Sequence, residues 1–133
     1  MSYSHAVLWM DHQEGHLVRF NLESHESEHI RAYEGHEQLH RHAGTLGDGK
    51  AKAHPDYFPK LARAVDSADA VLVVGAGVAK REFLHYLEAT SPQIRAKVMG
   101  TENSERITEP QLLALAKDWF KPNDRMRGLA RDA

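Results

Sequence analysis

The spacing of apolar and polar positions predicts three strands at the start of the chain. These strands cover residues 5–11, 16–22 and 26–33. The first is an almost continuous apolar run, which suits a buried strand, and the second alternates, with Val18, Phe20 and Leu22 on one face. The third is more polar and is expected at a sheet edge. Residues 1–33 are therefore predicted to form an antiparallel meander.

After Pro55 the pattern changes to a helical period. Apolar side chains recur at i, i+3, i+4 and i+7, namely at Phe58, Leu61, Ala62 and Val65. Residues 67–69 end this helix. Residues 70–74 (Ala-Val-Leu-Val-Val) form the most hydrophobic run of the chain, which predicts a strand at the sheet centre that is covered on both faces.

A tight turn and a second helix follow this strand. Residues 75–77 (Gly-Ala-Gly) predict the turn, and the helix after it carries Phe83, Leu84 and Leu87. Pro92 ends that helix because it removes a backbone donor, and residues 96–100 predict a further short strand.

The last helix has a recognisable first residue. Thr108 and Gln111 are spaced as a capping box, in which each side chain bonds the backbone N–H of the other. The residues that this helix is expected to bury are Leu112, Leu115, Ala116 and Trp119. It is predicted to stop at Pro122, and residues 123–133 are expected to form a C-terminal tail.

The predicted order of elements is βββαβαβα. Three strands followed by alternating helices and strands indicate an α/β fold with a mixed sheet, in which parallel crossovers continue an antiparallel meander. Residues 1–122 are predicted to form a single domain. Residues 35–54 contain four glycines and little periodicity, and are expected to form a long mobile loop, a kind of connection that is usually functional or disordered.

Composition narrows the chemistry that is available. The chain has 133 residues, 41% of them hydrophobic, which suffices for one modest core. It has no cysteine, so disulfides and thiolate chemistry are excluded, but it has ten histidines. A mean hydropathy of -0.57 and the lack of a long apolar run argue against a membrane span, and no secretory signal is visible at the N-terminus.

The net charge of -2 hides an asymmetry along the chain. Residues 1–40 hold two basic and seven acidic side chains, whereas residues 41–100 hold nine basic and six acidic ones. The last block, residues 101–133, is balanced at six of each. A basic middle on a near-neutral chain permits local phosphate binding rather than extensive nucleic-acid coating.

Two enzyme motifs are present only in incomplete form. Residues 36–40 (His-Glu-Gln-Leu-His) match the short zinc-protease signature, but Ala43 and Leu46 stand where its extended form needs glycine and a third ligand. Asp11 closes the first strand as in ribonuclease-H-type nucleases, but the central strand ends in Gly75 and adds no carboxylate. We therefore assign no catalytic residue, no metal ligand and no cofactor.

The Gly75-Ala76-Gly77 turn is half of a dinucleotide fingerprint, with Lys80 in place of its third glycine. Two interpretations stay open. The turn is either a tight strand-to-helix connection or, through the free N–H groups of the following helix beside Lys80 and Arg81, an anion seat.

Residues 71–87 (Val-Leu-Val-Val-Gly-Ala-Gly-Val-Ala-Lys-Arg-Glu-Phe-Leu-His-Tyr-Leu) resemble a segment of the middle domain of Pelota and the archaeo-eukaryotic release factors. Three further stretches, residues 8–12, 44–57 and 108–116, resemble small bacterial relatives known as translational machinery proteins. The resemblance implies a ribonuclease-H-like fold, which is also used by some ribosomal proteins. Release factors carry Gly-Gly-Gln on the loop before the first long helix, whereas this chain has Gly-Asp-Gly-Lys at residues 47–50, so peptide release is not expected.

The leading hypothesis is a non-enzymatic, cytoplasmic, bacterial domain that associates with the ribosome or with structured RNA. The residues expected to contact RNA phosphates are Arg41, His42, Gly47, Gly49, Lys50, Lys52, Gly75, Gly77 and Lys80. One alternative is a metal-binding or small-ligand module that uses His36, His40 and His42. Another is a protein-interaction domain or a homodimer through the edge strand at residues 26–33.

Overall fold

A computed structural model describes residues 3–32 and 55–126, of which residues 122–126 are described by their backbone alone. The strands are β1 (Tyr3–Met10), β2 (Glu14–Phe20), β3 (His25–Arg31), β4 (Ala68–Gly75) and β5 (Val98–Asn103). The helices are α1 (Tyr57–Val65), α2 (Ala79–Thr90), the short α3 (Pro92–Arg95) and α4 (Glu109–Met126). Among these helices, none is long and apolar enough to cross a bilayer.

The five strands form one mixed sheet in the order β3-β2-β1-β4-β5. Strand β2 runs antiparallel to both β1 and β3, whereas β1, β4 and β5 are parallel. The predicted meander and its parallel continuation are therefore confirmed. Parallel strands need a crossover connection. The connection that leads into β4 contains α1, and the connection from β4 to β5 consists of α2 and α3.

Helices cover both faces of the sheet, so the two central strands are buried on both sides. The alternation along β4 shows this directly: Val71 and Val73 pack on one face, and Leu72 and Val74 pack on the other. The first face carries the helix residues Leu61, Val65, Phe83 and Leu87. The second face carries Leu112, Ala116 and Phe120 of α4. The predicted two-sided burial of the hydrophobic run is confirmed.

The predicted capping box is confirmed at the start of α4. The backbone N–H of Thr108 donates to Gln111 Oε1 at 3.0 Å, and the backbone N–H of Gln111 donates to Thr108 Oγ1 at 3.3 Å. The two bonds satisfy donors that a helix start leaves without intrahelical partners.

The predicted end of this helix is wrong. Helix α4 continues past Pro122 to Met126, so residues 123–126 extend the helix instead of forming a tail. A proline removes one backbone N–H and its ring crowds the carbonyl four residues before it, which kinks a helix or breaks it, and here the helix continues beyond it. The rest of the expected tail, residues 127–133, lies outside the described residues, as does the expected loop at residues 35–54.

The prediction that Leu22 shares a strand face with Val18 and Phe20 is also wrong. Leu22 is 93% exposed, because β2 ends at Phe20 and Asn21 begins a turn in which its N–H bonds the Ser24 carbonyl. Trp119 is only half-buried, and its ring lies over β5, where a Cβ on Gly100 would come within 2.5 Å of it. Trp119 still packs against the core cluster beneath α4, in which the neighbouring Phe120 is buried.

Truncating the side chains of Phe120 and Leu22 in separate variants gives a direct stability test. Phe120 is 3% exposed and packs against the rings of His5 and Phe20, with centroid distances of 4.5 Å and 6.2 Å. We expect Phe120→Ala to lower the free energy of unfolding by about 3 kcal/mol, because it leaves a cavity under α4. Leu22→Ala is expected to change it by less than about 0.5 kcal/mol. Urea unfolding monitored by circular dichroism measures both, and equal losses would contradict this arrangement.

Candidate nucleic-acid interface

The three parallel strands end side by side at one edge of the sheet, called here the carboxyl edge. Met10 of β1 pairs with Gly75 of β4, and Gly75 pairs with Asn103 of β5, so the last residues of the strands lie in one row. The backbone groups beyond this row leave the sheet ladder. Loops at such an edge are the usual place for ligand-binding residues in α/β proteins.

Gly75 is required by a close approach of two strands. A Cβ at this position would lie 2.2 Å from the carbonyl oxygen of Met10, and the Gly75 carbonyl accepts a hydrogen bond from the N–H of Ser104. No side chain fits there without moving the backbone. At Gly75, the interpretation of the turn as a tight strand-to-helix connection is therefore confirmed.

Gly77 shapes the exposed turn that follows. Its φ of +76° lies in the left-handed region, which favours glycine, and a Cβ there would meet nothing within 4 Å. Ala76, Gly77 and Val78 are exposed, and α2 begins at Ala79 with no side-chain cap on its N–H groups. The turn is thus exposed at the carboxyl edge, and no side chain caps the first backbone donors of α2.

Lys80 is held in this turn by its own contacts. Its side chain packs over Gly75, whose Cβ would lie 3.5 Å from Lys80 Cγ, and it is only 8% exposed. Its Nζ donates to Asn103 Oδ1 at 2.8 Å. Of the predicted contact residues, Gly75, Gly77 and Lys80 therefore come together, and Lys80 ties the turn to the end of β5.

The remaining predicted contacts, namely Arg41, His42, Gly47, Gly49, Lys50 and Lys52, lie outside the described residues, as do His36 and His40. The residues that flank this segment are described, and both sides of it start from the carboxyl edge. The N–H of Ala32 donates to the Gln13 carbonyl, and the Tyr57 hydroxyl donates to the Asp11 carbonyl at 2.8 Å. The chain therefore leaves and re-enters the described fold beside the end of β1.

Asp11 and Tyr57 build this anchor point. Asp11 Oδ1 accepts the N–H groups of Gln13 and Glu14 at 2.8 Å and 2.9 Å, which holds the β1–β2 turn. Burial raises the pKa of the Tyr57 hydroxyl well above its usual range, and the nearby carboxylates of Asp11 and Glu14 raise it further. Tyr57 therefore stays protonated and keeps its hydrogen bond.

A charged cluster that the sequence analysis did not identify lies beside this turn. Glu14, His16 and His29 place their ligand atoms within 4.8 Å of one another, and Arg106 joins them from the β5–α4 loop. His29 Nε2 contacts Glu14 Oε1 at 2.8 Å, Arg106 Nη1 donates to Glu14 Oε2 at 2.6 Å, and Arg106 Nη2 donates to His16 Nε2 at 2.8 Å. We call these four residues the Glu14 cluster.

The neighbours of the Glu14 cluster shift two of its pKa values. Burial alone would raise the pKa of the Glu14 carboxyl, but the hydrogen bond from His29 and the positive charges of Arg106 and the two histidines outweigh it and lower this pKa. The pKa of His16 is lowered, first by burial and then by His29 and Arg106. The cluster therefore favours an ionised carboxylate beside a neutral His16.

The sequence holds a weak signal for this cluster. Glu14 and His16 are two residues apart on β2, which puts them on one face, but this strand was predicted to begin only at His16. Their meeting with His29 depends on the β2–β3 register, and their meeting with Arg106 spans separations of 92 and 90 residues. Neither could be read from spacing along the chain.

The fold is similar to solved translation factors. It matches Pelota from Archaeoglobus fulgidus with a TM-score of 0.61 at 13% identity, over 89% of this chain and 32% of that one. It also matches Pelota from Thermoplasma acidophilum, with a TM-score of 0.55 at 16% identity over 82% of this chain and 30% of that one. An archaeal translation termination factor gives 0.52 at 12% identity, over 95% and 42%.

These comparisons confirm, for the fold, the expected resemblance to Pelota and release-factor domains. The chain spans less than half the length of each of these proteins. No protein-family model matches the sequence, and no curated protein sequence matches it either. Membership of a small bacterial family stays a prediction.

The close approach at Gly75 predicts unequal effects for two glycine substitutions in the turn. We expect Gly75→Ala to lower the free energy of unfolding by about 3 kcal/mol, because the new methyl group would clash with the Met10 carbonyl. Gly77→Ala meets open space and is expected to cost only about 1 kcal/mol of backbone strain. Chemical unfolding of both variants measures this difference, and a larger loss at Gly77 would contradict it.

The pKa shifts predict that acid weakens the fold through the Glu14 cluster. Because the pKa of His16 lies below its ordinary 6.5 in the folded chain, the unfolded chain takes up this proton first as the pH falls. The free energy of unfolding should therefore decline below that value, and the lowered pKa of Glu14 adds a second loss below its ordinary 4.5.

His16→Gln removes the first of these contributions. Its free energy of unfolding should decline less steeply than that of the wild type between about pH 7 and pH 5.5. The remote Leu22→Ala variant serves as the control and is expected to keep the wild-type slope. Identical slopes for His16→Gln and the wild type would show that this proton is not linked to folding.

Proposed function

We propose that the chain is a translation-related, non-enzymatic domain that binds the ribosome or structured RNA through its carboxyl edge. The observation that carries this proposal is the likeness of fold to Pelota, which extends over 89% of the chain at a TM-score of 0.61. The likeness to a translation termination factor points to the same process. A bacterial, cytoplasmic setting with the ribosome as partner is part of the proposal.

The turn at residues 75–78 offers one contact to phosphate. Its exposed residues precede the N–H groups of α2, which point along the helix axis and favour an anion. Lys80 supports this contact from below, because its bond to Asn103 fixes the turn and its charge stays within the site. Arg81 is exposed in the first turn of α2 and adds a cation beside it.

The segment between Ala32 and Pro55 supplies the second proposed contact. It carries the cations Arg41, Lys50 and Lys52 together with His42, and also Gly47 and Gly49, which have no side chain to keep a phosphate from the backbone. Both flanks of the segment are bonded at the carboxyl edge, to Gln13 and Asp11. This shared anchor supports a single RNA-binding surface with the turn at residues 75–78.

We do not extend the proposal to peptide release. The sequence contains no Gly-Gly-Gln, and residues 47–50 read Gly-Asp-Gly-Lys. The chain matches only 32% of the Archaeoglobus fulgidus protein, so activities of the remaining part are not transferred to it. The strand order β3-β2-β1-β4-β5, with β2 antiparallel to its neighbours, supports a ribonuclease-H-like fold as part of the proposal.

A protein-interaction domain is the second candidate, and one observation favours it. Strand β3 lies at the sheet edge, and its side chains are exposed except for Ile30. Such an edge is able to pair with a strand of a second chain. Light scattering in solution separates the two candidates, because this pairing predicts a dimer in the absence of RNA.

Ribosome co-sedimentation at several salt concentrations tests the proposed function. We expect the chain to pellet with 70S ribosomes at low salt and to be released as salt rises, because phosphate contacts exchange with counterions. Lys50→Ala/Lys52→Ala should weaken binding and lower the slope of log affinity against log salt by about 1.4 to 1.8, at about 0.7 to 0.9 per lost phosphate contact.

A charge-matched control is available at the other end of the sheet. Lys117 and Lys121 are exposed on α4 and lie beside Ser4 and His5, near the start of β1. Lys117→Ala/Lys121→Ala should therefore bind ribosomes as the wild type does. Binding that ignores salt, or an equal loss in both double variants, would reject the carboxyl edge as the interface.

A further inference from the structure

The sheet register brings three side chains of the Glu14 cluster that can bind a metal to the same place. Glu14 and His16 project from the same face of β2, and His29 is the direct register partner of His16 on β3. The two imidazole rings stack with their centroids 4.2 Å apart. Sheet pairing therefore places three side chains with metal-binding atoms at one point on the surface, beside the end of β1.

The distances within the cluster suit a small metal ion. Tetrahedral zinc holds nitrogen and oxygen donors about 2.0 to 2.1 Å away, which places the donor atoms about 3.3 Å from one another. Glu14 Oε1 lies 2.8 Å from His29 Nε2 and 3.5 Å from His16 Nε2. All three ligand atoms lie within 4.8 Å of one another, which is close enough for side-chain rotation to bring them toward one ion.

A cation already occupies this position in the form of the Arg106 guanidinium. It bonds Glu14 and His16, and its Cζ lies 5.5 Å from the centre of the Trp9 ring. The Arg106 side chain is half exposed, so it is able to leave His16 Nε2 without leaving a buried charge behind. The lone pair that His16 offers to Arg106 is the one that a metal would take.

We propose that Glu14, His16 and His29 bind a divalent transition metal of the zinc class, for which Arg106 competes at His16. Two imidazole nitrogens and one carboxylate oxygen favour zinc and its neighbours over magnesium or calcium, which prefer oxygen donors. Three protein ligands leave a coordination position for water or another ligand. This inference is independent of RNA binding and of the histidines at residues 36–42.

Titration of the metal-free chain with Zn²⁺ and with Co²⁺ tests the proposal. We expect one Zn²⁺ per chain by calorimetry and visible absorption bands from bound Co²⁺. His16→Gln and His29→Gln should each weaken binding at least about tenfold, because each removes one of three ligands. Arg106→Gln should strengthen it about two- to fivefold, which corresponds to the loss of one half-exposed ion pair.

Two controls locate the ion. His25→Gln makes the same substitution on the same strand outside the cluster and should bind as the wild type does. A variant with His36, His40 and His42 all changed to Gln should also keep the site, and nitrogen-resolved NMR should then show Zn²⁺ shifting the Nε2 signals of His16 and His29. Unfolding curves check that each variant is folded.

Three results would overturn the proposal. These are the absence of stoichiometric Zn²⁺ binding by the folded wild type, unchanged affinity in His16→Gln and His29→Gln, and loss of the site in the triple variant of residues 36, 40 and 42. Ribosome binding by the metal-free chain is measured separately. Failure of the metal site and failure of the proposed function are therefore distinguishable.

Discussion

The close approach of β1 and β4 at Met10 and Gly75 fixes the geometry of the carboxyl edge. Both strands are buried on both faces, and at their last paired residues no atom beyond a glycine Cα fits against the Met10 carbonyl. This contact brings the start of α2 over the end of β4. It also lets the stem of Lys80 lie flat on Gly75 and carry its charge to Asn103 on β5. The row of three strand ends is thereby joined by backbone pairing and one buried ammonium.

The same constraint explains why accessible chemistry collects at this edge. Beyond Met10, Gly75 and Asn103 the backbone has no further parallel partner, so its polar groups bond to turns, to side chains or to external groups. Local side chains satisfy part of this need, as Asp11 does in the β1–β2 turn. The exposed turn before α2 is not capped by a side chain in this way. An anion at that position would complete a hydrogen-bonding pattern that the strand ends begin.

Local patterns in the sequence were sufficient for most of the fold. The apolar run of β4, the helical period of α1 and the capping box at Thr108 each depend on neighbours within a few residues, and each is confirmed. The errors involve contacts that local spacing does not contain. Leu22 continues the alternation of β2, but the strand has already ended in a turn. Trp119 packs at the margin of the core, over Gly100 on β5, and the buried Phe120 beside it was not predicted.

The candidate site also has one part that local sequence patterns predict and one part that depends on distant contacts. The turn around Gly77 was predictable because a glycine-rich connection between a strand and a helix is a local pattern. The Glu14 cluster was not, since its members come from two strands and a distant loop. The cluster depends on the register that sets His16 opposite His29, and on the fold of the chain that places Arg106 over the Trp9 ring. Charge patterning along the sequence placed these residues in separate blocks, one acidic and one balanced.

The sheet itself keeps the two chemistries of the carboxyl edge apart. Consecutive residues of a strand point to opposite faces, so Trp9 faces α4 with the Glu14 cluster, whereas Met10 faces α2. The Arg106 guanidinium is consequently held on the α4 side by Glu14, and Lys80 is held on the α2 side by Asn103. An anion at the turn before α2 therefore does not need to displace Arg106 from its carboxylate. The proposed metal at Glu14 would likewise lie on the opposite face from that turn, so the two proposed ligands would not compete for the same residues.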